Sequence, residues 1–409
     1  MLKHSLAYGT GNMLTALIPF LLLPFLTTNL EPSELGTVAF IESLILLISP
    51  LVIFGIDGSY STFHHKLSIN ERASQSVALL QIVILISLML IPIMGGIAYF
   101  ELLPITIDGI WIFCLIFLFL SMAINALLLS QLQMNDCSNQ YAVLKVCISL
   151  IAAVITVLAV LNMGKDATSR LLGIYSAPII VSVVSIFIMY KRGIFNHDYY
   201  RTDMFKKGLY FGFGMVLHSW SAIVFFASDR FIIGYLGDVE ILGKYSVAVQ
   251  VGMVMAVIQN TFSQVWTPYS FRLFANNKFE EFTKMSHISI VILFLMCIGV
   301  MLLIPLLYRF FIDIRYHDMS AVTYWVVATY FFLGLYKIYV VKLFYFEKVK
   351  LLAKITTFTA LFNVLLTIAL IEAMGVIGAA IATFFSSIIF CALVYFFTKN
   401  ICSKNLLLK

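Results

Sequence analysis

Hydrophobic residues form long runs along this chain, separated by short polar stretches. A helix needs about 20 predominantly apolar residues to cross the hydrocarbon core of a bilayer, and twelve runs come close to this length. The pattern predicts an all-α, polytopic membrane protein with about 12 transmembrane helices. We place them at residues 5–28, 35–57, 77–98, 109–131, 141–162, 169–190, 208–235, 241–266, 287–308, 321–341, 355–373 and 376–397.

The composition supports this class of protein. Of the 409 residues, 62% are hydrophobic and 11% are charged, whereas a soluble domain is roughly 25% charged. The longest connections, at 58–76, 190–207 and 267–286, are too short for a further domain. The six cysteines show no CxxC or metal-ligand spacing, so we expect reduced packing residues and no metal site.

Basic residues predict the orientation, because cytoplasmic loops carry an excess of Lys and Arg. With both termini in the cytoplasm, most of the 26 basic residues lie inside. The six that would lie outside are Lys165, Arg170, Arg230, Lys244, Arg309 and Arg315. The net charge of +6 is therefore mainly an orientation signal, and we expect no nucleic-acid partner.

The charged loop at 190–207 divides the chain into two halves of six helices each. We therefore predict an N-terminal lobe at residues 1–197 and a C-terminal lobe at residues 198–409. Because six is an even number, both halves begin inside, as in a parallel repeat. Leu30–Gly36 and Leu236–Gly243 are weakly similar, at an offset of about 207 residues. A two-lobed transporter places its substrate site between its halves.

Catalytic motifs are missing from the sequence. It contains no GxSxG, HExxH or P-loop pattern. We therefore predict a transporter without catalytic residues or a bound cofactor.

Charged residues at membrane depth are the candidates for chemistry, since each costs at least about 2.5 kcal/mol and usually faces protein or a water-filled cavity. Asp229 and Arg230 lie side by side within an apolar run, and they serve either a cavity or a structural site at the outer interface. Glu42 has no basic residue in its own helix, so we expect its carboxyl group to be protonated in the resting state and to change charge with the transport cycle. Lys337 either faces a cavity or extends to the cytoplasmic surface.

Uncharged polar residues add to this group. His218 and Asp229 are eleven positions apart, about 20° on one helical face. Lys337 similarly shares a face with Tyr330. The other candidates are Asn12 in the first helix, Asp57 at the end of the second, and Gln250 and Asn260 in the eighth.

Two segments resemble a known family. Residues 228–234 (Ser-Asp-Arg-Phe-Ile-Ile-Gly) and 242–248 (Leu-Gly-Lys-Tyr-Ser-Val-Ala) are similar to a pattern of Wzx-type O-antigen and capsule-unit flippases. These belong to the multidrug/oligosaccharidyl-lipid/polysaccharide (MOP) exporter superfamily. Residues 262–269, with their Trp-x-Pro ending, and residues 36–40 and 55–58 also resemble family segments. The family commonly has an arginine-bearing segment where this chain has His64 and His65.

The resemblance implies two six-helix lobes around a central cavity, a MATE-like fold. It implies transfer of an undecaprenyl-pyrophosphate-linked oligosaccharide from the inner to the outer leaflet of the bacterial cytoplasmic membrane, by alternating access. The expected partners are this lipid-linked oligosaccharide and membrane lipid, with other polysaccharide assembly proteins left open and a monomer as the transport unit.

Within that function, cations are needed for the pyrophosphate and polar groups for the sugar. Arg230 and Lys337 are the best intramembrane cations, and Arg272 is a candidate at the inner mouth. The remaining substrate candidates are His218, Asn12, Gln250 and Asn260. Since the chain has no ATP motif, energy would come from an H⁺ or Na⁺ gradient or from removal of the substrate outside. The ion-coupling candidates are Glu42, Asp57 and Asp229.

Three alternatives stay open at this point. A MATE-like multidrug exporter would share the fold but carry a cation in an acidic cavity. A membrane polysaccharide polymerase would need a long outer catalytic loop, and the longest outer loop here is about 309–320. A lipid II flippase usually has more helices, and arginines in the first ones.

Overall fold

The chain folds into α-helices joined by short turns. The structure, a computed structural model, describes residues 2–100, 109–195, 201–236 and 238–406. Within them lie two short 3-10 helices, His64–Lys66 and Ile314–Met319, and fourteen α-helices. The α-helices are α1 (Leu2–Asn29), α2 (Pro32–Ile53), α3 (Ile56–Phe63), α4 (Ile69–Tyr99), α5 (Gly109–Met134), α6 (Ser138–Asn162), α7 (Ala167–Lys191), α8 (Thr202–Leu236), α9 (Val239–Gly252), α10 (Val254–Ala275), α11 (Phe279–Phe311), α12 (Ser320–Tyr345), α13 (Val349–Met374) and α14 (Ile377–Leu406).

The predicted membrane class is confirmed. Eleven segments of the described chain are long and apolar enough to cross a membrane, and α8 makes a twelfth if its two halves form one span. Those halves, Thr202–Val216 and Ser219–Leu236, meet at a bend of 40°. Two spans contain a helix break, since α2 and α3 form one span and α9 and α10 another. Every span overlaps one of the twelve predicted segments.

Packing divides the chain into two compact units. The first extends to Ile223, and the second begins at Val224 and includes Leu26–Thr28 at the end of α1. In the first unit α5 and α7 pack on each other and both contact α2 and α6. In the second unit α12 contacts α9, α10, α11, α13 and α14. The predicted lobe boundary at residues 197 and 198 lies outside the described residues and stays a prediction.

Three turns between helices share one geometry. Asp136, Asn277 and Glu347 have positive φ angles of 57°, 56° and 57°. In each turn the next residue donates its backbone N–H to the carbonyl of a leucine five positions earlier, which is the hydrogen bond of a Schellman helix end. Glu347 follows Asp136 by 347 − 136 = 211 positions, close to the offset in the sequence analysis. All three turns lie on the side predicted to be cytoplasmic.

The break between α2 and α3 depends on a close helix contact in the first unit. Phe54 and Gly55 both adopt the left-handed conformation, with φ angles of 51° and 64°. The buried Phe54 ring lies against α8 at Gly212, where an added Cβ would come within 2.0 Å of the Phe54 Cδ1 atom. Glycine is therefore required at residue 212 for this approach of α8 to the break.

We expect Gly212→Ala to destabilise the protein by about 1–3 kcal/mol, the usual cost of an overpacked contact. Gly214→Ala is the matched control on the same helix, because a Cβ there meets nothing within 4 Å. It should be neutral or stabilising by up to about 1 kcal/mol, since alanine favours a helix over glycine. Thermal unfolding of the purified variants in detergent measures the difference. Equal melting temperatures for the two variants would contradict the contact.

Candidate functional site

The carboxylate of Asp229 is held by a tyrosine rather than by the neighbouring arginine. Tyr245 on α9 donates its hydroxyl to Asp229 Oδ2 at 2.6 Å, and the Arg230 backbone N–H donates to Oδ1 at 2.7 Å. Asp229 and Tyr245 are both buried. The described structure contains no side-chain ion pair between Asp229 and Arg230. The physical reason is that successive residues of a helix point about 100° apart, so the two side chains diverge and Asp229 is bound by Tyr245 and the backbone instead.

Arg230 keeps an unused hydrogen-bond donor. Its Nε atom is buried and has no hydrogen-bond partner among the described residues. Tyr330 on α12 lies within electrostatic range of both Arg230 and Asp229. A buried guanidinium donor without an acceptor is costly, so this group is suited to an anionic ligand.

Lys337 and Asn260, both predicted as substrate candidates, are brought together. The Lys337 ammonium on α12 donates to Asn260 Oδ1 on α10. The same two helices are joined a short distance away, where Trp266 Nε1 donates to the Ile338 carbonyl at 3.1 Å. Gly334 allows this approach, because an added Cβ would lie 3.3 Å from Gln259 Cβ. Lys337 is therefore directed at α10, and its partner is a neutral amide.

One face of α12 carries both Tyr330 and Lys337. Tyr330 and Lys337 are seven residues apart, which places them on the same face about 10 Å apart along the axis. This is the polar face expected from their spacing. This face of α12 thus carries a phenol and an ammonium group separated by about two helical turns.

Glu42 has a basic partner from another helix. Arg170 on α7 lies 3.9 Å from Glu42 Oε1, and it also donates to Thr156 on α6 at 3.0 Å. The Arg170 side chain is only 12% exposed, against 42% for Glu42. Glu42 has no basic residue in its own helix, as the sequence shows, and the basic group beside it comes from α7. The sequence does not reveal this pairing, because Arg170 lies near the start of a distant helix, α7, among the basic residues expected on the outer side.

A second lysine–asparagine pair lies in the first unit. Lys145 on α6 donates to Asn12 Oδ1 on α1 at 2.8 Å, and its ammonium also lies 5.3 Å from the centre of the Tyr141 ring. The two helices approach closely at Gly11, where an added Cβ would lie 2.8 Å from Ala142 Cβ. Each unit thus holds a lysine within a span against the side-chain oxygen of an asparagine.

The remaining candidates are Asp57, Arg272, Gln250 and His218. Asp57, in the first turn of α3, and Arg272, in the last turn of α10, are exposed, and neither has an ion pair or hydrogen bond among the described side chains. Gln250 on α9 is half-buried. The side chain of His218 lies outside the described residues.

The second half of α8 and one face of α12 thus carry positive groups within a polytopic α-helical membrane fold. Solved structures agree with this class. The chain matches the inward-facing conformation of a multidrug resistance MATE family transporter of the MOP superfamily, with a TM-score of 0.74, 13% identity and 95% of each chain covered. It matches the lipid II flippase MurJ in an inward closed conformation, with a TM-score of 0.75, 15% identity, and 98% and 88% covered. At these identities the likeness shows the fold.

The family follows from the sequence match. Residues 1–274 match the model of the family described as "Polysaccharide biosynthesis protein", so the chain belongs to this family. Two similar proteins come from Haemophilus influenzae. "Lsg locus putative protein 1" is 25% identical over 291 residues, covering 68% of this chain and 67% of the relative. An "Uncharacterized membrane protein" is 22% identical over 312 residues, covering 71% of each. The predicted resemblance is confirmed at the level of the family and the fold.

We expect Tyr245→Phe to destabilise the protein by about 1.5–3 kcal/mol, the range for a hydrogen bond to a charged group. The substitution keeps the buried ring and leaves Asp229 without its hydroxyl donor. Tyr235→Phe is the matched control, because Tyr235 is exposed and stacks on Phe231. Thermal unfolding in detergent should separate them. A Tyr245→Phe protein as stable as the control would show that the Asp229 contact contributes nothing to stability.

Proposed function

We propose that this protein flips an undecaprenyl-pyrophosphate-linked oligosaccharide, such as an O-antigen or capsule repeat unit, from the inner to the outer leaflet of the bacterial cytoplasmic membrane. Both termini would then lie in the cytoplasm, and the transport unit would be a monomer. The family membership and the transporter fold support this function. The single observation that carries the choice of an anionic cargo is the buried, unpartnered Nε donor of Arg230.

The partners of the charged side chains within the spans favour an anionic cargo over a cationic one. A multidrug exporter for cations needs carboxylates that are free to meet the drug. Here Asp229 accepts a hydrogen bond from Tyr245, and Glu42 lies beside Arg170. Lys145 and Lys337, in contrast, donate to the neutral amide oxygens of Asn12 and Asn260, which bring no opposite charge to the two ammonium groups.

In this function Arg230 and Lys337 would bind the pyrophosphate, because a guanidinium and an ammonium form the strongest hydrogen bonds to phosphate oxygens. Asn260 would hold the Lys337 ammonium group in place until a phosphate oxygen replaces the Asn260 amide as its hydrogen-bond partner. Asn12 and Lys145 would provide a similar pair in the first unit for sugar hydroxyls or acidic sugars. Arg272, exposed at the end of α10, would attract the lipid-linked substrate from the cytoplasmic leaflet.

We expect a strain lacking this protein to accumulate lipid-linked repeat units on the cytoplasmic side. Arg230→Ala and Lys337→Ala should each restore export about tenfold less efficiently than the natural chain, or worse, because each loses a charge-assisted hydrogen bond of about 1.5–3 kcal/mol. The measurements are surface polysaccharide and the amount of extracted lipid-linked units. Lys278→Ala is the matched control, since Lys278 forms an exposed ion pair with Glu281.

The two parts of this proposal fail in different ways. A deletion strain with normal surface polysaccharide and no lipid-linked intermediate would overturn the flippase function. Full rescue by both alanine variants, at normal protein levels, would overturn the assignment of the cations. Accumulation of a cationic dye in the deletion strain, with normal polysaccharide, would instead indicate a drug exporter.

We also propose that a gradient of H⁺ or Na⁺ drives the cycle through Glu42 or Asp229. Glu42→Gln and Asp229→Asn should reduce the acceleration of flipping by a gradient in proteoliposomes, because each removes a charge that a proton or Na⁺ would neutralise. Asp57→Asn should keep the acceleration, since Asp57 is exposed and lies at the start of α3. An unchanged response to both gradients in all three variants would rule out coupling through these residues.

A further inference from the structure

A pocket of about 600 Å³ lies in the second unit where α11 ends and α12 begins. It belongs to the side predicted to be outside. Its lining combines the apolar side chains of Pro305 and Ile312 with the polar side chains of Arg309, His317 and Tyr324. Volumes of roughly 300–1,000 Å³ are typical of small-molecule sites, so the pocket has room for a ligand group.

The pocket carries uncompensated positive charge. Arg309 has no ion pair or hydrogen bond among the described residues, and its guanidinium lies 5.6 Å from the Phe310 ring centre. The two acids of the adjoining segment are already paired, Asp313 with Arg315 at 2.9 Å and Asp318 with Lys244 at 3.0 Å. The hydrogen bond from Arg315 holds the pKa of Asp313 below its usual range, so this carboxylate stays ionised and engaged. No carboxylate lines the pocket.

Hydroxyl groups complete the polar part of the pocket. The hydroxyls of Ser320 and Tyr324 have no hydrogen-bond partner among the described residues, whereas Tyr308 is hydrogen-bonded to Thr323 at 2.8 Å. His317 Nε2 lies 3.0 Å from the Ile312 carbonyl, which can only accept, so this nitrogen carries the proton. The available donors are thus one guanidinium and two hydroxyls, a set that suits a phosphate group.

An exposed apolar stripe leads away from Arg309 along α11. Leu302, Leu306 and Arg309 fall within about 60° of one another at 3.6 residues per turn. Leu302 is 72% exposed and Leu306 is 50% exposed. A cation at the end of an exposed apolar stripe is complementary to an amphiphile that has a phosphate at one end and a hydrocarbon chain at the other.

We propose that this pocket binds the phosphate of a membrane amphiphile, with the phosphate at Arg309, Ser320 and Tyr324 and the chain along Leu306 and Leu302. Two amphiphiles share this chemistry. One is an anionic phospholipid of the outer leaflet. The other is the prenyl diphosphate carrier, and that source rests on the proposed function. An arginine that only extends to the membrane surface would need neither the pocket nor the free hydroxyls.

The test uses the purified full-length protein in detergent and measures bound ligand by native mass spectrometry. The probes are dioctanoyl phosphatidylglycerol, the zwitterionic dioctanoyl phosphatidylcholine, geranyl diphosphate and inorganic diphosphate. We expect saturable binding of phosphatidylglycerol or geranyl diphosphate, about tenfold or more weaker in Arg309→Gln and within about threefold of normal in Arg309→Lys. Lys165→Gln is the control, because Lys165 is exposed on the predicted outer side of the first unit. It should bind normally.

The outcomes distinguish the phospholipid from the prenyl diphosphate carrier, and both from the absence of a specific phosphate site. Tighter binding of phosphatidylglycerol identifies an ordinary phospholipid, whereas tighter binding of geranyl diphosphate than of inorganic diphosphate and phosphatidylglycerol identifies the carrier. Equal binding of phosphatidylcholine, or binding unchanged by Arg309→Gln, overturns the proposal. Because no transport is measured, a failed flippase assay leaves this result intact, and a failure here leaves the flippase function intact.

Discussion

The structure depends on the need of each charged group at membrane depth to find a partner within the protein. Water is not available there, and an unpaired charge or donor costs several kcal/mol. Several charged side chains therefore contact a polar group on a second helix and fix the two helices relative to each other. The contacts that do so join α8 to α9, α2 to α7, α1 to α6 and α10 to α12: Asp229–Tyr245, Glu42–Arg170, Asn12–Lys145 and Asn260–Lys337. Residues selected as candidates for transport are thus also contacts that hold the helices together.

The acidic side chains and the lysines have chemically different partners. Asp229 and Glu42 have a hydroxyl and a guanidinium beside them, which are groups that satisfy a negative charge. The lysines are held by amide oxygens, which orient an ammonium without cancelling its charge. A phosphate can displace a neutral amide more easily than a carboxylate, because no opposite charge has to be separated. The arrangement therefore leaves a positive field for an anionic ligand.

Sequence reasoning predicted the local features and missed the long-range partners. The twelve spans follow from runs of apolar residues, and the position of Lys337 on the face of Tyr330 follows from helical periodicity. The partner of Glu42 depends on how α2 and α7 pack, and no property of residues near Glu42 indicates Arg170. Tyr245 was visible only as part of a family pattern, without a role. The break at Phe54 and its contact with Gly212 likewise depend on packing between distant segments.

Helix α12 links the groups of the second unit in one rigid element. It begins at Ser320 in the outer pocket, passes Tyr330 within electrostatic range of Arg230, and carries Lys337 toward its other end. Ser320 and Lys337 are 17 residues apart, about 25 Å along a helix axis. Because α12 packs against five neighbouring helices, these groups keep their spacing when the unit moves as a body. Under the proposed function, a phosphate passing from Lys337 to Arg230 and then to Arg309 would follow this one helix, and the substrate would advance along a fixed series of donors without a rearrangement of α12 itself.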